Sequence, residues 1–388
     1  MLTRSLAHAA IVAACSSLVA AAVASAQGPT LAPVGTSWPF ESQGMQLRAE
    51  VVATGLAVPW GIAFLPDGRL LVTDRPAGRI VLVDPKTGTT QDVKDVPPVH
   101  GKGDGGMLDV VLHPDFAANG WIYFSYAVDG DAGSSNAVDR ARLRDGLLVD
   151  RQRLFTARPF IANDDHFGSR LVLSGGYLFI SLGERNIRTQ AQDLGNDYGK
   201  IIRLHDDGRA PADNPFRGTA GALPEIWSYG HRNPQGLAIN PATGELWEHE
   251  HGPRGGDEIN IIQPGKNYGW PVIGYGREYA GPLINDGLVT KDGMEQPLHY
   301  WVPSIAPSGM EFYTGNALPQ WKGSLFIGAL AKTHLNRVVV RDATVVLEER
   351  LLGDKHWRVR VVRQGPDGLL YIGVDGGMVV RIRPDSSR

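Results

Sequence analysis

The stretch PWGIAFLPDGRLLVTD, residues 59–74, runs an apolar strand, a Pro-Asp-Gly turn and a second apolar strand, the sequence form of a β-hairpin. The form recurs at GMLDVVLHPDFAANGWIYFSY (106–126), GSRLVLSGGYLFISLG (168–183), NPQGLAINPATGELWEHE (233–250), SGMEFYTGNALPQWKGSLFIGAL (308–330) and VRVVRQGPDGLLYIGVD (359–375). Turns roughly 50 to 70 residues apart leave room for two further strands in each unit, as a four-stranded propeller blade requires. Third strands are visible as GRIVLVD (78–84), GKIIRLH (199–205), DEINIIQ (257–263), NRVVVRD (336–342) and GMVVRIR (377–383). An open stack of such units would expose strand edges at both ends, whereas a closed ring protects them. The expectation is an all-β protein, a six-bladed β-propeller with four-stranded antiparallel blades, with LRAEVVATGL (47–56) completing the last blade. A β-helix has shorter, more regular repeats, and a two-sheet sandwich has no need of six similar hairpins.

Composition agrees. The chain has 388 residues, 43% hydrophobic and 20% charged, enough for a large core. A net charge of −3 and the absence of a Lys/Arg block exclude a nucleic-acid footprint and a polybasic membrane anchor, and leave a small molecule as partner. The 48 glycines and 26 prolines are spread along the chain, as turn-rich β structure requires. Arg4, an apolar Ala/Val/Leu stretch and Ala24-Ser25-Ala26 form an export signal over residues 1–26, with the mature chain starting near Gln27 in the periplasm or outside the cell. An uncleaved membrane helix fits less well, because the stretch is short, Ala-rich and interrupted by Cys15-Ser16-Ser17, so no membrane span is expected. A rival is lipidation at Cys15 after Val12-Ala13-Ala14. Cys15 is the only cysteine, so the cleaved chain has no disulfide. Residues 27–45 read as a Pro/Gly/Ser-rich linker or arm, and 46–388 as the propeller domain.

Several stretches carry chemistry. His166 in NDDHFGSR stands before the first strand of the third unit with Asp165 beside it, a base with an acidic neighbour. Arg232-Asn233 in GHRNPQG holds the equivalent point of the fourth unit, where an arginine can clamp a carboxylate or an oxyanion. The run EHEHGPRGGDEINIIQPGKNYGWP (248–271) is the densest. His249 and His251 invite zinc, but nothing completes a tetrahedral set. Asp257, Glu258 and the nearby Gly/Pro carbonyls suit calcium better. Arg358 and Arg360 in HWRVRVV share a strand face and suit a multiply charged anion. Each of these features also fits an ordinary loop, turn or strand-face residue, so the argument rests on their combination.

Taken with GGMLDVVLHPDF, AQDLGNDYGKIIRL, DNPF, EIWSYGHRNPQGLAINP and WKGSLFIGAL, these motifs resemble the soluble PQQ (pyrroloquinoline quinone) sugar dehydrogenases, in their aldose sugar dehydrogenase branch, over essentially the whole mature chain. The resemblance implies PQQ and calcium as cofactors, and oxidation of an aldose at C1 to a lactone by hydride transfer to the quinone. It makes His166 the general base, with Asp165 on the substrate side, and sets Arg232 and Asn233 beside the quinone. The carbonyls of Gly252 and Pro253 would hold the catalytic calcium, and Glu258, the Tyr268 carbonyl and Asp257 a second one. Tyr279 would contact the cofactor, and Arg358 and Arg360 would meet its carboxylates. A cytochrome or a quinone would accept the electrons.

Two positions depart from the family pattern. Asp104 in GDGGMLDV replaces a glutamine that touches cofactor and substrate, and its charge would need Lys102, calcium or a proton to offset it. Ala331 in GALAKTHL replaces a cofactor-binding lysine, with Lys332 one residue later. A calcium-dependent propeller hydrolase of the sugar lactonase type explains the acids but not the paired arginines. A non-catalytic propeller that binds sugar or protein is the third reading.

Overall fold

The structure, a computed structural model, describes residues 32–385; the export segment and Cys15 lie outside the described residues. Six antiparallel sheets stand around one axis, and the first strand of each touches the first strand of the next, so the ring is closed. These axial strands are Pro59–Phe64, Met107–Leu112, Gly168–Ser174, Pro234–Ile239, Pro307–Phe312 and Val359–Gln364, in blades one to six. Closure joins the two ends of the described chain. Met45–Ala53 pairs with Met378–Pro384, from Leu47 opposite Pro384 to Ala53 opposite Val379, as expected.

Two features differ from expectation. Part of the supposed linker, Ser37–Ser42, is a fifth strand on the outer edge of blade six. Trp38 and Phe40 pack on the core between blades five and six, Trp38 edge-on to Trp357 at 5.1 Å, and Pro39 is tolerated because an edge strand has one side without ladder partners. In blade two the outer strands Gly133–Arg144 and Leu147–Thr156 form a long hairpin. Charged residues interrupt both, so their apolar faces are thin in the sequence. The only α-helix among the described residues is one turn, Phe116–Asn119.

Side chains from adjacent blades interlock as separate cores. Ile80, Leu82, Met107 and Phe124 fill the gap between blades one and two, and Trp321, Phe326, Leu370 and Ile372 that between five and six. A residue such as Phe326, wholly buried, contributes about 1.5–3 kcal/mol by leaving water.

One irregularity repeats in all six blades. Near the start of each axial strand the pairing slips by one residue, between Pro59 and Gly61, Met107 and Val110, Gly168 and Leu171, Pro234 and Gly236, Ser308 and Met310, and Val359 and Val361. A bulge bends the strand and re-aims a side chain. Here Trp60, Leu108, Gln235 and Arg360 are turned into one cavity at that end of the axis. Beneath it the axis is filled by the wholly buried Arg170, also from a bulge, which lies 3.8 Å over the Trp60 ring and pairs with Asp109 at 3.1 Å.

Candidate active site

The axial cavity has a volume of about 240 Å³. His166, Arg232, Asn233, Asp104, Tyr279, Arg358 and Arg360, from four blades and their loops, all line it, together with Trp60, Arg75 and His251. Residues read as separate motifs therefore share one cavity.

His166 has a positive φ of 52°, a strained backbone for a histidine. Its loop is held from two sides. The buried Arg185 lies 3.7 Å over the Phe167 ring, donates to the Asp165 carbonyl at 3.0 Å and also reaches the Asn163 carbonyl. On the other side His100 bridges Asp129 at 2.6 Å and Asp164 at 2.7 Å. The acid that pairs with His166 is Glu184, whose Oε2 lies 2.7 Å from Nδ1 and also accepts the Asn186 N–H at 2.8 Å. Asp165 does not pair with it: the strained turn sends its carboxylate outward, to Asn186 at 3.2 Å. With Nδ1 donating to Glu184, Nε2 keeps its lone pair as a base.

The opposite wall is cationic. Arg358 and Arg360 converge on Asp375, at 3.1 and 2.8 Å. Burial would raise the Asp375 carboxyl, but Arg360 and then Arg358 hold it below its usual range. Arg232 donates to the carbonyls of His251 at 2.9 Å and Gly252 at 3.2 Å. The buried Nε atoms of Arg75 and Arg232 have no partner among the described residues. Four guanidinium groups against Asp104 and Asp375 leave the wall in need of an anion, and fit a multiply charged cofactor. Asp104 is offset by Arg75 at 3.5 Å rather than by the exposed Lys102, and it accepts the His166 N–H at 3.3 Å. Ala331 lines the cavity, whereas Lys332 is exposed and outside it, so Lys332 does not replace the missing lysine.

An adjoining cleft of about 390 Å³ carries Gly252, Pro253, Arg254 and Tyr279, whose ring is 68% exposed. The oxygens of Asp257 are committed elsewhere: they accept from Gly252 N, Ser304 Oγ, Ile305 N and Ala306 N, at 2.7–3.0 Å. Burial raises its pKa to about 6. Asp257 clamps two loops, and the expected ligand role passes from it. Glu258 and Tyr268 border a small space of about 10 Å³, room for one ion or water, which Glu250 also lines. Burial and then Glu250 push the Glu258 carboxyl well up, so a cation suits this space. His249 and His251 do not form a zinc pair. They bond to separate carbonyls, of Gly309 at 3.3 Å and Pro307 at 2.7 Å, and burial lowers each pKa to about 3.

Glu184, Arg185, Arg75, His100 and Trp60 were not singled out from the sequence. Glu184 had a signal: in the third hairpin Gly168 faces Leu182, and counting two residues outward sets 166 opposite 184.

The Glucose / Sorbosone dehydrogenase family model matches residues 56–381. The chain is 45% identical to aldose sugar dehydrogenase YliI of Escherichia coli, over 87% of this chain and 93% of that protein. The crystal structure of the soluble E. coli aldose sugar dehydrogenase in its apo form superposes with a TM-score of 0.84 at 45% identity, covering 87% of this chain and 99% of that one. The PQQ-bound aldose sugar dehydrogenase of Streptomyces coelicolor superposes with a TM-score of 0.72 at 27% identity, covering 91% and 99%. The ring, its cation-walled cavity and these likenesses agree: the chain belongs to the Glucose / Sorbosone dehydrogenase family and is an oxidoreductase, a homologue of aldose sugar dehydrogenases.

Proposed function

We propose that the cavity binds PQQ with calcium and an aldose, and oxidises the sugar at C1 to its lactone with His166 as general base. The observation that carries this reading is the shared cavity, in which a histidine with a fixed tautomer faces a wall of arginines. His166 Nε2 accepts the proton of the anomeric hydroxyl, and Glu184 stabilises the imidazolium that forms. Arg358 and Arg360, held parallel by Asp375, bind the cofactor carboxylates. Arg232, fixed by two carbonyls, sets a positive charge where negative charge develops. When bound, PQQ would supply the two-electron acceptor for the C1 hydrogen, and calcium, held near the Gly252 and Pro253 carbonyls, a Lewis acid beside it. A separate acceptor, such as a cytochrome or quinone, then removes the electrons. The PQQ-bound Streptomyces relative supports the choice of cofactor.

Adding PQQ and calcium to the purified chain should give a bound-quinone spectrum and dye reduction by glucose. Lactone hydrolysis without PQQ would instead identify a hydrolase. His166→Ala should lose most turnover, by about 10²-fold or more, and still bind PQQ. Near wild-type oxidation by that variant would remove His166 from its role. The export reading of residues 1–26 puts this chemistry in the periplasm or outside the cell, and the intact mass of secreted protein tests it against lipidation at Cys15.

A further inference from the structure

Behind Arg232, on the side away from the cavity, lies a buried cluster that the reaction does not use. Glu248 and Glu250 stand two apart on one face of the strand Leu246–Glu250, and both meet Asn260 of the next strand. His231 joins them from the turn before blade four. His231 and Glu248 are 0% exposed, Asn260 1% and Glu250 3%. One donor atom each from His231, Glu248 and Glu250 lies within 4.8 Å of the others.

The hydrogen bonds do not balance. The single Asn260 amide group, with two hydrogens, faces Glu248 at 3.2 Å, Glu258 at 3.4 Å and Glu250 at 3.5 Å. Glu248 Oε1 and Asn260 Oδ1 are buried with no partner among the described residues. His231 Nε2 is 2.9 Å from Ser228 Oγ, which fixes the ring, while Nδ1 is 3.3 Å from Glu250 Oε1. With the proton on Nε2, Nδ1 and Glu250 Oε1 both present lone pairs, and one cation can bind the two. Among the described residues no Lys or Arg ion-pairs with Glu248, Glu250 or Glu258. Buried carboxylates in that position call for a positive partner.

We propose that His231 Nδ1, Glu248 and Glu250 form a binding site for a divalent transition-metal ion of the manganese or zinc kind. An imidazole nitrogen among carboxylates selects such ions over calcium, which takes oxygen ligands. The Ser228 contact is the outer support that metal-binding histidines have. None of the three is among the ligands expected for calcium, although Glu250 also borders the small space beside Glu258. The ion would act on the enzyme through position. Glu250 Oε2 accepts the Arg232 backbone N–H, so fixing Glu250 fixes the turn that presents Arg232 and Asn233 to the cavity.

The test uses the full chain saturated with calcium, stripped of transition metals and titrated with Mn²⁺. Electron paramagnetic resonance should show an ion that excess calcium does not displace, with a nitrogen coupling in the pulsed spectrum. His231→Leu should lose that coupling. Glu248→Gln should weaken Mn²⁺ binding by about tenfold or more. Glu248→Leu, which removes one of the buried carboxyl groups altogether, should fold and show the same loss, with melting curves confirming that each variant is folded. No calcium-resistant Mn²⁺ would mean that protons alone neutralise the cluster, and would overturn the proposal. So would Mn²⁺ bound equally well by folded Glu248→Gln or Glu248→Leu. Neither readout depends on PQQ or on sugar oxidation.

Discussion

A histidine can act as a base through the group that holds its other nitrogen, and for His166, the base of the proposed reaction, that group is Glu184. The neighbouring Asp165 looked equivalent in the sequence, but adjacent side chains on a strained turn diverge, and only the hairpin register brings 184 to 166. Glu184→Gln keeps the shape and removes the charge that fixes the tautomer and balances the imidazolium. Its kcat should fall about 10²-fold or more, with sugar KM and PQQ affinity little changed. Steady-state kinetics on the reconstituted enzyme measure this, and a kcat within twofold of wild type would sink the assignment. Asp104 teaches the same lesson. Its charge looked damaging beside an anionic cofactor, yet Arg75, far away in the sequence, stands against it.

At the scale of the strand, the repeated bulge makes a site out of a ring. Regular pairing would alternate side chains between the faces of each blade, whereas the extra residue turns Trp60, Leu108, Gln235 and Arg360 toward the axis. The bulge in blade four depends on Gly236, where a Cβ would lie 2.1 Å from His249 Nε2. His249 is buried and cannot retreat without losing its bond to Gly309. Gly236→Ala should therefore cost about 1–3 kcal/mol by overpacking, read as a lower urea midpoint, and should weaken PQQ binding because Asn233 and Gln235 shift with the strand. An unchanged midpoint would show that the strand has room to give. The hairpins were legible in the sequence because each sets a turn between two apolar runs. The bulges were not, since one extra residue leaves no compositional trace.

Across the whole molecule, the axis has a second mouth opposite the active site, walled by Val111, Leu171, Ile239 and Phe312. Glu311 stands there, 28% exposed, with Arg363 at 3.6 Å. Its burial raises the carboxyl pKa from 4.5 to about 7, against the pull of Arg363. Between those values the folded chain holds a proton that the unfolded chain has released, so this group makes stability decline as pH rises from 4.5 to about 7. Glu311→Gln removes the decline. It should stabilise the protein by about 1–2 kcal/mol at pH 8, allowing for solvent at the mouth, and by little near pH 4. Urea unfolding at both pH values checks this, and an equal effect at the two would exclude titration as the cause.

The sequence alone determined the ring and most of its cavity residues. Six hairpins of one form admit few ways to bury their faces without open edges, and HRNPQG, HFGSR and HWRVRVV each stand at a strand start, at the same end of the axis. Only the tertiary structure decided which charges meet. Glu184 on His166, Arg75 on Asp104, Asp375 between two arginines, and the buried glutamates around His231 are pairings across strands, loops or blades. Electrostatic energy depends on distances of a few ångströms and on burial, and both are set when the ring closes rather than by the order of residues along the chain.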